Sequence, residues 1–278
     1  PPPPPPPPPF FFHPDAGNPD SVASRGLGDV YKRQLIGGVT VWGWATDTII
    51  QALGNDWITR GWSEYSFRKP VFPGNVITIT AESDAEDLTK PWNVTMNNQS
   101  GDICVIGKIG LGQTKWENTL TRPVNMSPSE VTEKPPLTLD RASQETSWTA
   151  LEVEFNDHIY EEINHKNRLT FNSIFDHCSG MKPIAHPSWI AGWAEALMRH
   201  NFDIPSSMHT KSLVKHHSSV PLGTTIVGGA EVIDAYERKG HHYVEFDVLL
   251  KDTNEKDIAQ IRHRTIFRIA TASERTGN

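Results

Sequence analysis

The feature that most constrains the fold is an internal repeat of a helix, a turn and a series of strands. Two turns that end in Gly74 and Gly223 lie 149 residues apart, and residues rich in Val, Ile and Thr follow each of them. Asp102 and Asp257, which each begin a later strand-like segment with an Asp-Ile pair, lie 155 residues apart. The two spacings agree to within the length of one hairpin. We therefore predict two copies of one unit, each an α-helix packed on an antiparallel sheet.

Each copy carries one amphipathic segment that predicts the long helix of its unit. In the second copy, residues 187–200 have a stripe of large apolar and small side chains at helical spacing: Trp189, Ile190, Trp193, Ala194 and Leu197. Pro187 suits the first helical turn because it lacks an N–H group, and His186 or Ser188 is the expected N-cap. In the first copy the corresponding helix is predicted over residues 42–53.

Charge, hydropathy and cysteine content argue against several classes of function. The 278 residues carry a formal net charge of −7, which argues against nucleic acid as a partner. No run of about 18 apolar residues occurs, so no membrane-spanning helix is expected. The two cysteines, Cys104 and Cys178, provide no disulfide framework and favour a reducing, cytoplasmic location. No metal is expected, because the histidines lack the spacing of zinc ligands: His209, His216, His217, His241, His242 and His263.

The first 34 residues do not have the pattern of a folded domain. Nine prolines and three phenylalanines precede a stretch rich in Gly, Asp and Ser that has no periodicity. Residues 24–34 resemble a translated sequencing adapter, since Asp29 to Gln34 can be encoded by GAT GTG TAT AAG AGA CAG, a transposon end. We therefore expect residues 1–34 to be a non-native or disordered tail that packs against nothing. The first unit would then begin at Leu35 and lack its true N-terminus.

Composition and periodicity predict the remaining boundaries. The first unit covers residues 35–112, and the second covers residues 146–270 and is followed by a short tail, 271–278. Residues 113–145 contain four prolines among Ser, Thr and Glu, which predicts a linker. Trp116 is the large apolar residue of this linker, and we expect it to pin the linker onto a domain surface.

Two segments resemble the MaoC-like acyl dehydratases and (R)-specific enoyl-CoA hydratases. They are the strand-turn-strand 68–78 (RKPVFPGNVIT) and the helix N-terminus 184–187 (IAHP), where the family has Ile-Ala-His-Gly. The resemblance covers about residues 35–112 and 146–270. It implies an α+β double hot-dog fold and a hydro-lyase that hydrates or dehydrates an acyl-CoA thioester. Coenzyme A would be part of the substrate, with no separate cofactor, and a homodimer of double hot-dogs is one expected assembly.

The catalytic signature of this family is Asp-x-Asn-Pro-(aliphatic)-His, whose Asp and His hold a water, one as base and the other as acid. This sequence departs from that signature, because Asn164 falls near the Asp position and Leu169 near the His position. Pro187 stands where the family has Gly, and it has no N–H to offer the thioester oxygen. In the first copy Gly43 keeps such an N–H, but the equivalent dyad would fall near residue 20, within the tail.

Several residues before the second helix are candidates for the missing pair. His186 is expected to act as a substrate-facing acid or base, or else as a capping or packed histidine. Asp176 lies in the loop just upstream, and Asn164 is close in sequence to the missing dyad. For both of these residues the alternative is a solvated or capping role. The residues expected to contact substrate at the two helices are Trp42, Gly43 and Trp189.

Glu195 supports a second enzymatic function. Hot-dog thioesterases that resemble the phenylacetate-pathway type have an acidic residue nine positions after the His of His-Gly-Gly, and Glu195 lies nine positions after His186. A carboxylate in that place activates water or attacks the thioester itself. The alternative for Glu195 is a surface ion pair with Arg199 at i+4. A third function, of a different class, is a non-catalytic protein that binds acyl chains or supports a catalytic partner subunit.

Overall fold

A computed structural model of the chain describes residues 10–12, 35–83, 90–166, 170–177, 180–271 and 274. In this part of the chain, ten strands form one sheet. The strands are β1 (Phe10–Phe12), β2 (Gly61–Phe67), β3 (Ile77–Glu82), β4 (Trp92–Asn98), β5 (Ile103–Leu111), β6 (Leu151–Glu154), β7 (Met208–His216), β8 (Thr225–Arg238), β9 (His241–Asp252) and β10 (Asp257–Arg268). The α-helices are α1 (Gly38–Gly43), α2 (Thr46–Leu53), α3 (Trp57–Arg60), α4 (Leu139–Gln144), α5 (Asp157–Tyr160) and α6 (Pro187–Asn201).

The sheet has two halves that repeat each other across a central pair of strands. Its order is β1-β3-β4-β5-β2-β7-β10-β9-β8-β6, and the paired strands are antiparallel. From the β2–β7 pair outward, each half contains the first, fourth, third and second strand of its unit. These are β2-β5-β4-β3 in one half and β7-β10-β9-β8 in the other. The predicted repeat of a helix and an antiparallel sheet is thus confirmed, and the sheet is continuous across the two units.

The predicted spacing of 149 residues holds at atomic detail. The Ile36 N–H donates to the Val71 carbonyl over 3.0 Å, and the Ala185 N–H donates to the Val220 carbonyl over 2.8 Å. Donor and acceptor are each displaced by 149 residues between the two units. Each bond ties the segment that leads into the helix to the turn that leads into the sheet.

This register corrects the predicted start of the first helix. The structure starts α1 at Gly38 with Gly37 as N-cap, so that Gly37 is equivalent to His186, whereas the sequence pattern placed the start at Trp42. Two residues separate α1 from α2, which continues the helix to Leu53. The pattern missed the first turn because glycine is a poor helix former and neither glycine offers a capping side chain.

A second correction concerns the N-terminal tail. Phe10–Phe12 pair with β3, with Phe10 opposite Ile79 and Phe12 opposite Ile77. The expectation that residues 1–34 pack against nothing is therefore wrong for these three residues, and the rest of that segment lies outside the described residues. The pairing has a physical reason, because without β1 the strand β3 would be at the sheet edge and would present a row of unpaired backbone groups. At the opposite edge β6 pairs with β8 in the same way.

The linker predicted over residues 113–145 runs along the sheet and contains α4. Trp116 contacts Trp62 of β2 edge to face, with ring centroids 6.3 Å apart, so it attaches the linker to the first unit as expected.

A buried ion pair attaches the same linker to the second unit. Asp247 of β9 is 1% exposed and accepts two hydrogen bonds from the guanidinium of Arg262, each of 2.7 Å. It also accepts a bond of 2.6 Å from the backbone N–H of Thr121. The same guanidinium donates to the Thr119 carbonyl. Proximity to this carboxylate raises the pKa of Arg262.

We predict that Asp247→Ala lowers the free energy of unfolding by about 3 kcal/mol, because it leaves the Arg262 charge partly buried and the Thr121 N–H unpaired. Asp56→Ala is the matched control, since Asp56 forms an ion pair with Arg60 in which both side chains are over 60% exposed. That change should cost less than about 1 kcal/mol. Urea unfolding at neutral pH measures both, and equal losses in the two variants would contradict the prediction.

Candidate functional site

A cavity of about 390 Å³ lies between the two units at the N-terminus of α1. The first unit contributes the segment 35–39 and the end of β2 with the turn after it, through Phe67 and Val71. The second unit contributes the middle of α6, the start of β7 and one residue of β10. The walls are mainly apolar, and the polar side chains from the second unit are Glu195, Arg199, Ser207, His209, Thr210 and His263.

The N-termini of the two equivalent helices differ in how they are capped. At α6 the Nδ1 of His186 accepts a bond of 3.1 Å from the Ser188 N–H and lies 2.8 Å from the Ser188 hydroxyl. At α1 the N-cap is Gly37, and no side chain caps the helix. The α1 terminus therefore leaves first-turn N–H groups available at the cavity, whereas α6 is capped by its own histidine.

Gly38 allows His209 to approach the first turn of α1. A Cβ at Gly38 would lie 2.9 Å from both the Cβ and the Nδ1 of His209, closer than real Cβ contacts allow. Only glycine fits between this histidine and the helix backbone.

Glu195 lies on the cavity wall with one carboxylate oxygen held in place. Its Oε1 accepts a bond of 2.8 Å from Arg199 Nε and one of 2.5 Å from the Ser207 hydroxyl. Arg199 is fixed in turn by its bond of 2.7 Å to the Ile204 carbonyl. The side chains of Glu195 and Arg199 are 28% and 27% exposed. The ion pair expected from the i, i+4 spacing is therefore present, but it faces the cavity.

Two histidines that line the cavity, His209 and His263, are joined by a buried serine. Ser212 Oγ lies 2.7 Å from His209 Nε2 and 3.1 Å from His263 Nδ1, and the two rings are 4.2 Å apart. Burial lowers the pKa of His263 to about 3 and that of His209 well below its usual value, the latter further because of the neighbouring histidine. Both rings are thus neutral at pH 7, and His263 Nε2 has no hydrogen-bond partner among the described residues.

Tyr65 lies opposite Ser212 in the β2–β7 pairing. Burial raises the pKa of Tyr65, and the adjacent Ser212 hydroxyl partly offsets the rise. The phenol therefore stays protonated, and its ring packs against that of His209 with centroids 5.7 Å apart.

The residues predicted from the sequence before α6 are not brought together around this cavity. His186 is fully buried, caps α6 and packs on Phe175 with ring centroids 5.0 Å apart, and burial lowers its pKa to about 3. Asp176 is half-buried and ends a short 3-10 helix, Ser173–Phe175. Asn164 lies in a π-helix, Glu161–Lys166, and its side chain lies outside the described residues.

The three residues predicted to bind substrate occupy different environments. Trp42 is 4% exposed and stacks on Tyr65 at 4.1 Å, so it is part of the core. Gly43 ends α1, where a Cβ would lie 2.8 Å from the Ser188 Cβ, so it marks the crossing of the two helices rather than a helix N-terminus. Trp189 is half-buried and lines a separate groove between α1 and α6.

Sequence reasoning missed the residues that line the cavity from the first helix and from β7. The Gly37-Gly38 pair could have been found by applying the spacing of 149 residues to His186-Pro187. His209 carried no such signal, because its partners come from the pairing of β7 with β10. In the described part of the chain, no group of His, Cys, Asp and Glu side chains is arranged to hold a metal ion. Nor does any helix described there have the length and apolar character needed to cross a membrane.

No protein-family profile and no curated protein sequence matches the chain. Among solved structures, it is similar to a conserved hypothetical protein from Mycobacterium tuberculosis that has a double hotdog fold. That match has a TM-score of 0.54 and 11% identity, and covers 84% of this chain and 82% of that one. A MaoC-like dehydratase matches with a TM-score of 0.51 and 12% identity, covering 83% of both chains. The tesB protein of Mycobacterium avium subsp. paratuberculosis matches with a TM-score of 0.50 and 10% identity, covering 84% and 88%.

These similarities confirm the predicted α+β double hot-dog fold. A MaoC-like dehydratase is among the proteins that share it, as the resemblance of residues 68–78 and 184–187 implied.

The buried histidines predict how stability depends on pH. Because the folded pKa of His263 lies below the unfolded value of about 6.5, the unfolded chain binds more protons as the pH falls. The stabilisation is complete above about pH 6.5 and is lost progressively toward the folded value of about 3. One such histidine costs about 2 kcal/mol by about pH 5. His263→Gln should remove that part of the pH dependence, measured as the urea unfolding free energy from pH 7 to pH 5.

His158→Gln, which replaces an exposed histidine, is the control for the loss of a surface imidazole. An unchanged pH slope in His263→Gln would contradict a buried, neutral His263.

Proposed function

We propose that this chain binds an acyl-CoA thioester in the cavity between its two units and acts on it as a hydro-lyase. The observation that carries the proposal is that one cavity contains a fixed carboxylate, Glu195, and a neutral imidazole, His209, beside a helix N-terminus that no side chain caps. Reversible hydration of an enoyl thioester needs two such groups, since water adds its oxygen to one carbon and a proton to the next.

The two groups lie on the wall of one cavity. The Glu195 carboxylate is hydrogen-bonded to Ser207, and His209 follows two residues later along the chain. A thioester bound in this cavity would therefore have both groups beside it.

The reaction then uses the residues of this site as follows. The Glu195 carboxylate takes a proton from water as the water oxygen bonds to Cβ of the enoyl group. The neutral His209 ring accepts that proton from Glu195 through solvent and delivers it to Cα, which leaves both groups as they began. N–H groups of the Gly37-Gly38 segment polarise the thioester oxygen. Dehydration is the reverse of these steps.

The rim of the cavity suits the coenzyme A portion of the substrate. Arg68 and Lys69 line the cavity and are exposed, and Lys69 also forms an ion pair of 2.5 Å with Asp102. Guanidinium and ammonium groups bind phosphate through charge-assisted hydrogen bonds.

Thioester hydrolysis is the second candidate, and Glu195 is the observation that favours it. Both of its described hydrogen bonds are accepted by Oε1, so Oε2 remains the oxygen that would activate water or attack the thioester. This reaction would need Glu195 but not His209 as a proton donor.

Two substitutions separate the candidates. For the hydro-lyase, Glu195→Gln and His209→Asn should each lower the rate of crotonyl-CoA hydration by about 10²–10⁴-fold, because each removes one acid–base group. For the thioesterase, Glu195→Gln should abolish release of the coenzyme A thiol, whereas His209→Asn should retain it. The measurements are the loss of enoyl absorbance and the appearance of free thiol.

Glu245→Gln is the control, because Glu245 is a glutamate of β9 outside the cavity lining, 4.0 Å from Arg262. Wild-type protein that neither hydrates nor hydrolyses crotonyl-CoA or longer enoyl-CoA thioesters would reject both enzymatic functions and leave the non-catalytic one.

A further inference from the structure

The helices α1 and α6 cross where Gly43, at the end of α1, meets Ser188, and the crossing is not symmetrical. Gly43 and Gly192 are equivalent at the spacing of 149 residues, as are Val39 and Ser188. A Cβ at Gly43 would lie 2.8 Å from the Ser188 Cβ, so that side is closed. A Cβ at Gly192 would have no atom within 4 Å, so the equivalent side is open. The repeat therefore has empty space in one copy at the place where the other copy is packed.

The open side is an apolar groove of about 170 Å³ between α1 and α6. Its walls include Val39, Val153, Ile163 and two tryptophans, Trp189 and Trp193, whose rings meet edge to face at 5.7 Å. An engineered apolar cavity of about 150 Å³ binds benzene, so this groove has room for a fragment of about six carbons.

Val39 lines both this groove and the cavity that contains Glu195 and His209. One residue of α1 thus separates the reactive groups from the apolar space. An acyl chain whose thioester lies at the Gly37-Gly38 segment would pass Val39 to reach the groove.

We propose that the groove at Gly192 holds the tail of the substrate and makes this site selective for medium-length, unbranched acyl groups. This inference rests on the proposed function, since it requires an acyl thioester in the neighbouring cavity. Shorter acyl groups end before Val39 and gain nothing from the groove. Each methylene that enters it should tighten binding by about fourfold, the equivalent of about 0.8 kcal/mol.

The test uses the full chain and oxoalkyl-CoA thioethers with butyl, hexyl and octyl tails, which keep a carbonyl and cannot be hydrolysed. Calorimetric titration gives the Kd for each. In the wild type, Kd should fall by about fourfold per methylene from butyl to hexyl. Gly192→Leu fills the groove, so it should abolish that gain and leave the Kd for the butyl compound within about twofold.

Gly192→Ala should reduce the fall in Kd per methylene only in part. This variant replaces Gly192→Leu in the test if the leucine variant does not fold. Gln51→Leu is the matched control, because it adds a leucine to an exposed helix position outside both spaces and should keep the wild-type series. If Gly192→Leu retains the gain per methylene, the groove does not hold the tail, although the acyl-thioester site stands. If the wild type binds none of the three compounds, the proposed function fails together with this inference.

Discussion

The antiparallel pairing of β2 with β7 is the interaction on which the rest of the structure depends. It runs from Trp62 opposite Lys215 to Ser66 opposite Lys211 and joins two sheets into one. Because of it, the start of β7 lies beside the N-terminus of α1, and His209 contacts Gly38. Neither unit contains the cavity alone, since one supplies the open helix terminus and the other supplies the carboxylate and the imidazoles. The site is therefore a consequence of fusing two units, as much as of either fold.

The repeat is regular in its backbone and irregular at its helix N-termini. The bonds of Ile36 and Ala185 to their turns are equivalent, yet the next residue is Gly37 in one copy and His186 in the other. His186 satisfies the first turn of α6 with its own ring, and Pro187 removes a further N–H. The same backbone thus leaves the N-terminus of α1 without a side-chain cap, whereas the N-terminus of α6 is capped. This asymmetry is the reason that the proposed thioester chemistry is assigned to the first helix rather than the second.

The sequence contained enough to predict the architecture and part of the site. The spacing of 149 residues predicted the doubled unit, and the i, i+4 pair predicted the contact of Glu195 with Arg199. The start of α1 could not be predicted, because glycines carry neither a capping side chain nor helix propensity. His209 could not be assigned to the site either, since Ser212 and His263 meet it only through the register of β7 and β10. Pairing between distant strands has no local signal in one sequence.

From the sequence, an ion pair and a chemical role for Glu195 were alternatives, but the structure contains the pair at the cavity wall. Arg199 is itself held by the Ile204 carbonyl, so the carboxylate is fixed before a ligand arrives. The same guanidinium stabilises the anion and weakens it as a nucleophile, which disfavours attack on a thioester. Removing a proton from water requires a less reactive carboxylate than attack on a thioester does, because a second group, His209, protonates the neighbouring carbon in the same reaction. The ion pair is therefore an argument for the proposed hydration over the alternative, hydrolysis.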